Sequence, residues 1–110
     1  MILRFLTVAE TEQTEAAAYY ESRRMGLGSD FVEELDQTVG RILQHPHAWS
    51  RGSQRTRSCQ MKRFPYSVIY RIDGEEILVI ALQHHSREPG MWEDRVIEST
   101  SEYGKVAEES

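Results

Sequence analysis

The stretch MKRFPYSVIYRIDGEEILVIALQHH (residues 61–85) decides the fold of this 110-residue chain. Residues 66–72 alternate between the two sides of a strand, and residues 77–82 are apolar at every position, as expected for a central strand covered on both faces. Between them, Asp73 and Gly74 are typical of a hairpin turn because both residues tolerate a positive φ. The stretch therefore predicts two adjacent antiparallel strands.

Helical segments precede this hairpin in the sequence. Residues 2–8 predict a short strand, and residues 10–25, which contain neither Gly nor Pro, predict a first helix. The glycines of MGLGSD then allow a left-handed turn. Asp30 and Glu33 have a spacing like that of a capping box, which predicts that a second helix begins at Ser29 or Asp30.

The second helix carries an apolar stripe that predicts its buried face. The residues that recur at helical spacing are Phe31, Leu35, Val39 and Ile42. Pro46 ends this helix, residues 47–54 are typical of a loop, and residues 55–63 favour a strand.

The order of elements predicts an α+β fold, with an N-terminal strand, a helical hairpin and then a three-stranded antiparallel meander. We expect the hairpin to cover one face of the sheet. We expect the opposite face to lack a cover within the chain and to be left to a partner.

The length fits one domain, residues 1–97, followed by an acidic tail of residues 98–110 that we expect to be flexible.

The apolar start is too short to span a membrane. One cysteine, Cys59, fits a reducing compartment, so we expect a cytoplasmic protein, and we expect no cofactor. The histidines and Cys59 match no ligand motif, and we therefore expect no metal.

The net charge of −5 hides an uneven distribution. Residues 1–36 hold eight acids and three arginines, a balance of 3 − 8 = −5, whereas residues 51–63 hold five cations and no acid, a balance of +5. These cations are Arg51, Arg55, Arg57, Lys62 and Arg63. Two interpretations stay open for them, a solvated loop and edge strand or a surface that binds an anionic partner.

Several motifs in this order resemble those of one family of small bacterial proteins. They are GLGSDFVEEL (residues 26–35), RFPYSVIYRI (residues 63–72), IALQHHSREPGMW (residues 80–92) and a closing Arg95. Over residues 1–97 the chain resembles the RelE/ParE superfamily of type II toxin–antitoxin toxins, often described as plasmid stabilization proteins. The resemblance implies a growth-inhibiting toxin that a cognate antitoxin, encoded by the neighbouring gene, holds inactive in a hetero-oligomer.

The superfamily contains two kinds of toxin. RelE-like members cut mRNA on the ribosome, and ParE-like members inhibit DNA gyrase. RelE-like sequences commonly carry a basic residue after the tyrosine equivalent to Tyr66 and lysines in the preceding strand, whereas Ser67, Ser58 and Gln60 stand at these positions here. Since a serine supplies no positive charge, the chain is nearer to the ParE-like members, and we expect it to bind a target such as gyrase.

Two alternatives to gyrase binding stay open. One is a ribosome-dependent, metal-independent mRNA endoribonuclease, so the sequence does not decide whether the protein is an enzyme. The other is a degenerate, non-toxic member of the superfamily that only binds antitoxin.

The candidate site residues lie at the end of the last strand and in the basic segment. In a nuclease, His85 is the candidate acid or base, Arg87 the phosphate clamp and Arg63 a further cation. For target or anion binding the candidates are Arg55, Arg57, Lys62, Arg63 and Arg87. The structural alternative, in which Arg87 only pairs with a nearby acid, stays open.

Overall fold

The computed structural model describes residues 1–86 of the chain. In chain order, its elements are β1 (Ile2–Phe5), α1 (Thr7–Arg23), α2 (Leu27–Gln44), β2 (Ser50–Arg51), β3 (Thr56–Gln60), β4 (Tyr66–Asp73) and β5 (Glu76–His84). The predicted α+β class and the order of the strands and helices are confirmed. The proposed domain end at residue 97, the tail of residues 98–110 and Arg87 lie outside the described residues.

The strands form one five-stranded sheet in the order β1-β5-β4-β3-β2. The predicted meander is confirmed, because β3 pairs with β4 and β4 with β5, both antiparallel. Gly74, with a φ of 60°, lies in the turn between β4 and β5. Two features were not predicted, the parallel pairing of β1 with β5 and the two-residue strand β2 within the predicted loop.

The main core lies between the helical hairpin and one face of the sheet. The apolar stripe of α2 is confirmed, since Phe31, Leu35 and Ile42 are at most 1% exposed and Val39 packs against them as a partly buried residue. The sheet contributes buried side chains from three strands, namely Cys59, Val68, Tyr70, Ile77, Val79 and Leu82.

The opposite face of the sheet is not open, so the prediction that it lacks a cover within the chain is wrong. Ile69, Leu78, Ile80 and Ala81 form a second buried cluster on that face, and none of them is more than 5% exposed. Leu6, which follows β1, packs against this cluster. A two-sided core of this kind explains why residues 77–82 are apolar at every position.

A β-bulge in β5 changes which face of the sheet the last side chains of this strand lie on. Ile69 pairs with Ala81 but Tyr70 pairs with Val79, so Ile80 is an extra residue in β5. The extra residue shifts the alternation, and Leu82 therefore packs with Val79 in the main core, on the side of the helices.

Helix α2 begins earlier than the sequence predicts, directly after the turn between the two helices. Gly26 has a φ of 86° and precedes the first helical residue, Leu27. The carboxylate of Glu21, in α1, accepts the backbone N–H of Gly26 at 2.9 Å and that of Gly28 at 3.0 Å. The prediction that Ser29 or Asp30 begins the helix is wrong because the preceding helix supplies the acceptor for the free amides.

The two glycines inside α2 provide a matched pair for testing this packing. A Cβ at Gly28 lies 2.6 Å from the carbonyl oxygen of Ala17, whereas a Cβ at Gly40 meets no described atom within 4 Å. We expect Gly28→Ala to lower the free energy of unfolding by about 1–3 kcal/mol through overpacking. Gly40→Ala should raise it by about 0.5–1 kcal/mol. Urea denaturation measures both, and equal effects of the two substitutions would contradict the packing described here.

Candidate functional site

The start of β4 and the end of β5 bring Tyr66, His84 and Ser86 together. Tyr66 pairs with His84 across the two strands, and their rings are 5.0 Å apart with an edge-to-face angle of 89°. The backbone N–H of Ser86 donates to Nδ1 of His84 at 3.0 Å. Because Nδ1 accepts this hydrogen bond, the neutral imidazole carries its proton on Nε2.

His85, the candidate acid or base, is exposed and held by two contacts. Its backbone N–H donates to the carbonyl of Pro65 at 2.9 Å, and its ring Nε2 lies 3.0 Å from the hydroxyl of Ser67. Ser67 stands where RelE-like sequences carry a basic residue. The imidazole is therefore positioned by a neutral hydroxyl.

A cleft of about 570 Å³ lies between α1 and this end of the sheet. The described residues that line it are Val8, Thr11, Glu12, Glu15, Ala16, Tyr19, Tyr20, Tyr66, Leu82, His84 and Ser86. They include two carboxylates and neither lysine nor arginine. Glu12 also accepts the backbone N–H of Leu82 at 3.2 Å, which fixes its carboxylate at the wall. The part of the lining formed by residues 1–86 is thus acidic and aromatic, and it disfavours a phosphate.

Aromatic packing fixes the position of Tyr66. The rings of Phe31 and Tyr20 lie 5.4 and 6.3 Å from the ring of Tyr66, in edge-to-face geometry. Phe64 packs against both Tyr20 and Phe31, at 4.8 and 5.2 Å. Burial raises the pKa of the Tyr20 hydroxyl, so this ring is a neutral part of the packing.

The basic candidates are not brought to one place. Nη1 of Arg57 donates to the carbonyls of His47 and Trp49 at 2.9 and 3.0 Å, so Arg57 holds the loop after α2. Arg55 is exposed in the turn before β3. Lys62 and Arg63 follow the opposite end of β3. The segment therefore divides into two basic groups, one at each end of that strand.

Arg63 and His85 have different partners in the described residues. The guanidinium of Arg63 lies 3.7 Å from the carboxylate of Asp30, which also lies 3.7 Å from Arg24. His85 contacts Ser67 instead. Arg87 lies outside the described residues, so its proposed role as a phosphate clamp stays a prediction.

Glu34 is a structurally important residue that the sequence motifs do not single out. It is 4% exposed, and its carboxylate accepts the backbone N–H of Lys62 at 2.6 Å and that of Arg63 at 2.7 Å. Glu34 thereby ties α2 to the loop between β3 and β4. An acid within the apolar stripe of α2, three residues after Phe31, was the available signal.

Cys59 and the other metal-binding residue types form no candidate metal site in residues 1–86. In this part of the chain, no three side chains of His, Cys, Asp or Glu lie close enough to share an ion. Cys59 is buried, and burial raises the pKa of its thiol, which disfavours the thiolate that binds metals.

Over residues 1–86, no helix is both long and apolar enough to cross a membrane.

Comparison with known proteins identifies relatives of this fold and sequence. A family model described as the ParE toxin of type II toxin–antitoxin system, parDE, matches residues 3–89. A solved structure described as the chromosomal ParDE TA system from P. aeruginosa is similar, with a TM-score of 0.66 and 20% sequence identity over 76% of this chain and 95% of that chain. At this identity the structural likeness concerns the fold alone. Among curated proteins, none matches.

Glu34 and its exposed neighbour Glu33 test the tie between α2 and the loop. We expect Glu34→Gln to lower the free energy of unfolding by about 1–3 kcal/mol, because an amide offers one acceptor oxygen to two N–H donors. The same change at Glu33, which is exposed, should alter it by less than about 0.5 kcal/mol. Urea denaturation of both variants measures the difference, and equal stability would rule out the proposed tie.

Because of Tyr70, the free energy of unfolding should depend on pH in the alkaline range. Its hydroxyl donates to the carbonyl of Pro46 at 2.6 Å, and burial raises its pKa from 10.0 to about 12. The unfolded chain loses this proton at a lower pH than the folded protein. The stabilisation is therefore complete below pH 10 and is lost as pH rises from 10 towards 12. We expect the stability difference between wild type and Tyr70→Phe to shrink over that interval in urea titrations. A constant difference would contradict the assignment.

Proposed function

Because the chain belongs to the ParE toxin family of type II toxin–antitoxin systems, we propose that it inhibits bacterial growth by binding DNA gyrase. In this proposal the protein acts in the cytoplasm. A cognate antitoxin from the neighbouring gene binds it and keeps it inactive in a hetero-oligomer. The similar structure is described as a ParDE toxin–antitoxin system, which supports the proposal of an antitoxin partner.

The observation that carries the choice of target is the acidic cleft at the end of β5. Cleavage of RNA by a metal-independent enzyme needs cations that stabilise the negative charge of the phosphorane. Glu12 and Glu15 line the cleft beside His84, and its described lining contains no cation. Their negative charge opposes an RNA phosphate beside His84, which supports a toxin that acts by binding.

The positions of the other nuclease candidates support the same choice. Arg63 lies beside Asp30, so an acid within 4 Å already offsets part of its charge. His85 is positioned by the Ser67 hydroxyl, which lacks the charge that a basic residue supplies at that position in RelE-like toxins. Among residues 1–86, the side-chain partner of His85 is this neutral hydroxyl, and RNA cleavage needs a cation beside the general acid or base.

Tightly controlled expression in a bacterial host tests this function. We expect growth arrest with relaxed or broken DNA and intact total mRNA, sampled from one culture. The double variant His85→Ala/Arg87→Ala should still cause arrest, because neither residue acts on RNA in this proposal. Circular dichroism of the purified variant confirms that it is folded, and co-expression of the neighbouring antitoxin gene should restore growth to the wild-type culture.

Two outcomes would overturn the proposed target. Codon-positioned mRNA cuts, together with loss of arrest in the folded double variant, would assign the protein to the ribosome-dependent endoribonucleases. Normal growth during strong expression of soluble protein would identify a non-toxic member that only binds antitoxin.

A further inference from the structure

The middle of the chain is free of acids. Residues 37–72 contain seven of the 13 lysines and arginines and none of the 18 acids. The rest of the chain therefore carries 13 − 7 = 6 cations and all 18 acids, a balance of −12. The net charge of −5 is the sum of this acidic part and a segment of +7, which runs from the second half of α2 into β4.

Several cations of this segment serve the fold. Arg41 donates to the carbonyl of Gln60 at 3.0 Å, and Arg71 donates to the carboxylate of Asp73 at 2.7 Å. Three others belong to the β2–β3 hairpin at the edge of the sheet, and we call them the hairpin arginines: Arg51, Arg55 and Arg57.

Two of the hairpin arginines repel each other. Arg51 and Arg57 are directly opposite in the antiparallel pairing of β2 with β3. Like charges in this position destabilise a strand pair. A charge on the edge strand β2, such as Arg51, discourages edge-to-edge association, but Arg57 belongs to β3, which is paired on both sides, so protection of the edge does not explain it.

The turn of this hairpin adds a conformational cost. The backbone N–H of Thr56 donates to the carbonyl of Ser53 at 3.0 Å, and the two residues between them, Gln54 and Arg55, have φ values of 56° and 61°. A turn with two positive φ angles favours Asn-Gly or Gly-Gly. Here it presents a third arginine beside the opposed pair.

We propose that the hairpin arginines bind the phosphates of a nucleic-acid backbone. The planar guanidinium matches a phosphate in charge and in bidentate geometry. Nη1 of Arg57 donates to the carbonyls of His47 and Trp49, which holds the guanidinium in place. The N–H groups on Nε and Nη2 are left to donate to a phosphate. A bound phosphate also removes the repulsion between Arg51 and Arg57.

A nucleic acid fits this surface better than an acidic protein. Protein interfaces have an apolar centre surrounded by polar residues. The described large apolar side chains that are exposed lie elsewhere, at Met1, Ile2, Val8, Tyr19, Met25 and Leu43. The charged side chains of the hairpin are all cations and its other exposed residues are small or polar, which is the composition of a phosphate contact. The site does not rest on gyrase as the target, since it is separate from the strand-end cleft.

Fluorescence anisotropy of labelled DNA and RNA duplexes with the full chain tests the proposal. We expect salt-dependent binding of at least one duplex. Arg51→Gln/Arg55→Gln should weaken it by at least about tenfold in low salt and reduce the slope of log K against log salt by about two. The preferred duplex identifies the nucleic acid. Arg57 is left unchanged because it holds the loop after α2.

The matched control is Arg23→Gln/Arg24→Gln, which removes the same charge at the tip of the helical hairpin. We expect it to weaken binding by less than about threefold, and we expect the Arg51→Gln/Arg55→Gln variant to be no less stable in urea than the wild type. Three results would overturn the proposal: no binding to either duplex, equal weakening by both variants, or displacement by polyglutamate as effective as displacement by an unlabelled duplex of equal charge.

Discussion

The buried carboxylate of Glu34 is the contact on which the arrangement of helices and sheet depends. A buried charge is stable only when hydrogen bonds replace its hydration, and here the amides of Lys62 and Arg63 do so. The contact fixes the loop that leads into Phe64 and Tyr66, whose rings pack on Phe31. One side chain of α2 thereby positions the start of β4, and through β4 it also positions the paired end of β5.

Elements with a strong local pattern were predictable from the sequence, and elements formed by distant pairing were not. The stripe of α2 and the turn at Gly74 follow from periodicity and turn preferences within a few residues. The parallel pairing of β1 with β5 joins segments about seventy residues apart, and no local pattern encodes such a contact. The early start of α2 depends on the carboxylate of Glu21 in the preceding helix, which an Asp30 capping signal cannot reveal.

The candidate site was predictable only in part, for the same reason. The position of His84 and His85 after an apolar strand predicts a candidate site, and the structure places Tyr66 and Ser67 beside them. The acidic wall was missed because Glu12 and Glu15 belong to α1, and only the packing of α1 along β5 brings them to the cleft. The run of cations in residues 51–63 predicts a single basic surface, whereas β3 separates its two groups by the length of a strand.

The fold of this protein does not by itself determine the chemistry of its site. A fold shared with other toxins does not choose between binding a protein and cutting RNA, so the choice depends on a few side chains. At the strand end, Ser67 supplies a hydroxyl to His85, and two carboxylates of α1 give the neighbouring wall a negative charge. The negative charge of these carboxylates opposes a phosphate in the cleft, whose described lining includes His84 but not His85. Within residues 51–63, the cations lie at the two ends of β3, where a partner can reach them without entering the cleft.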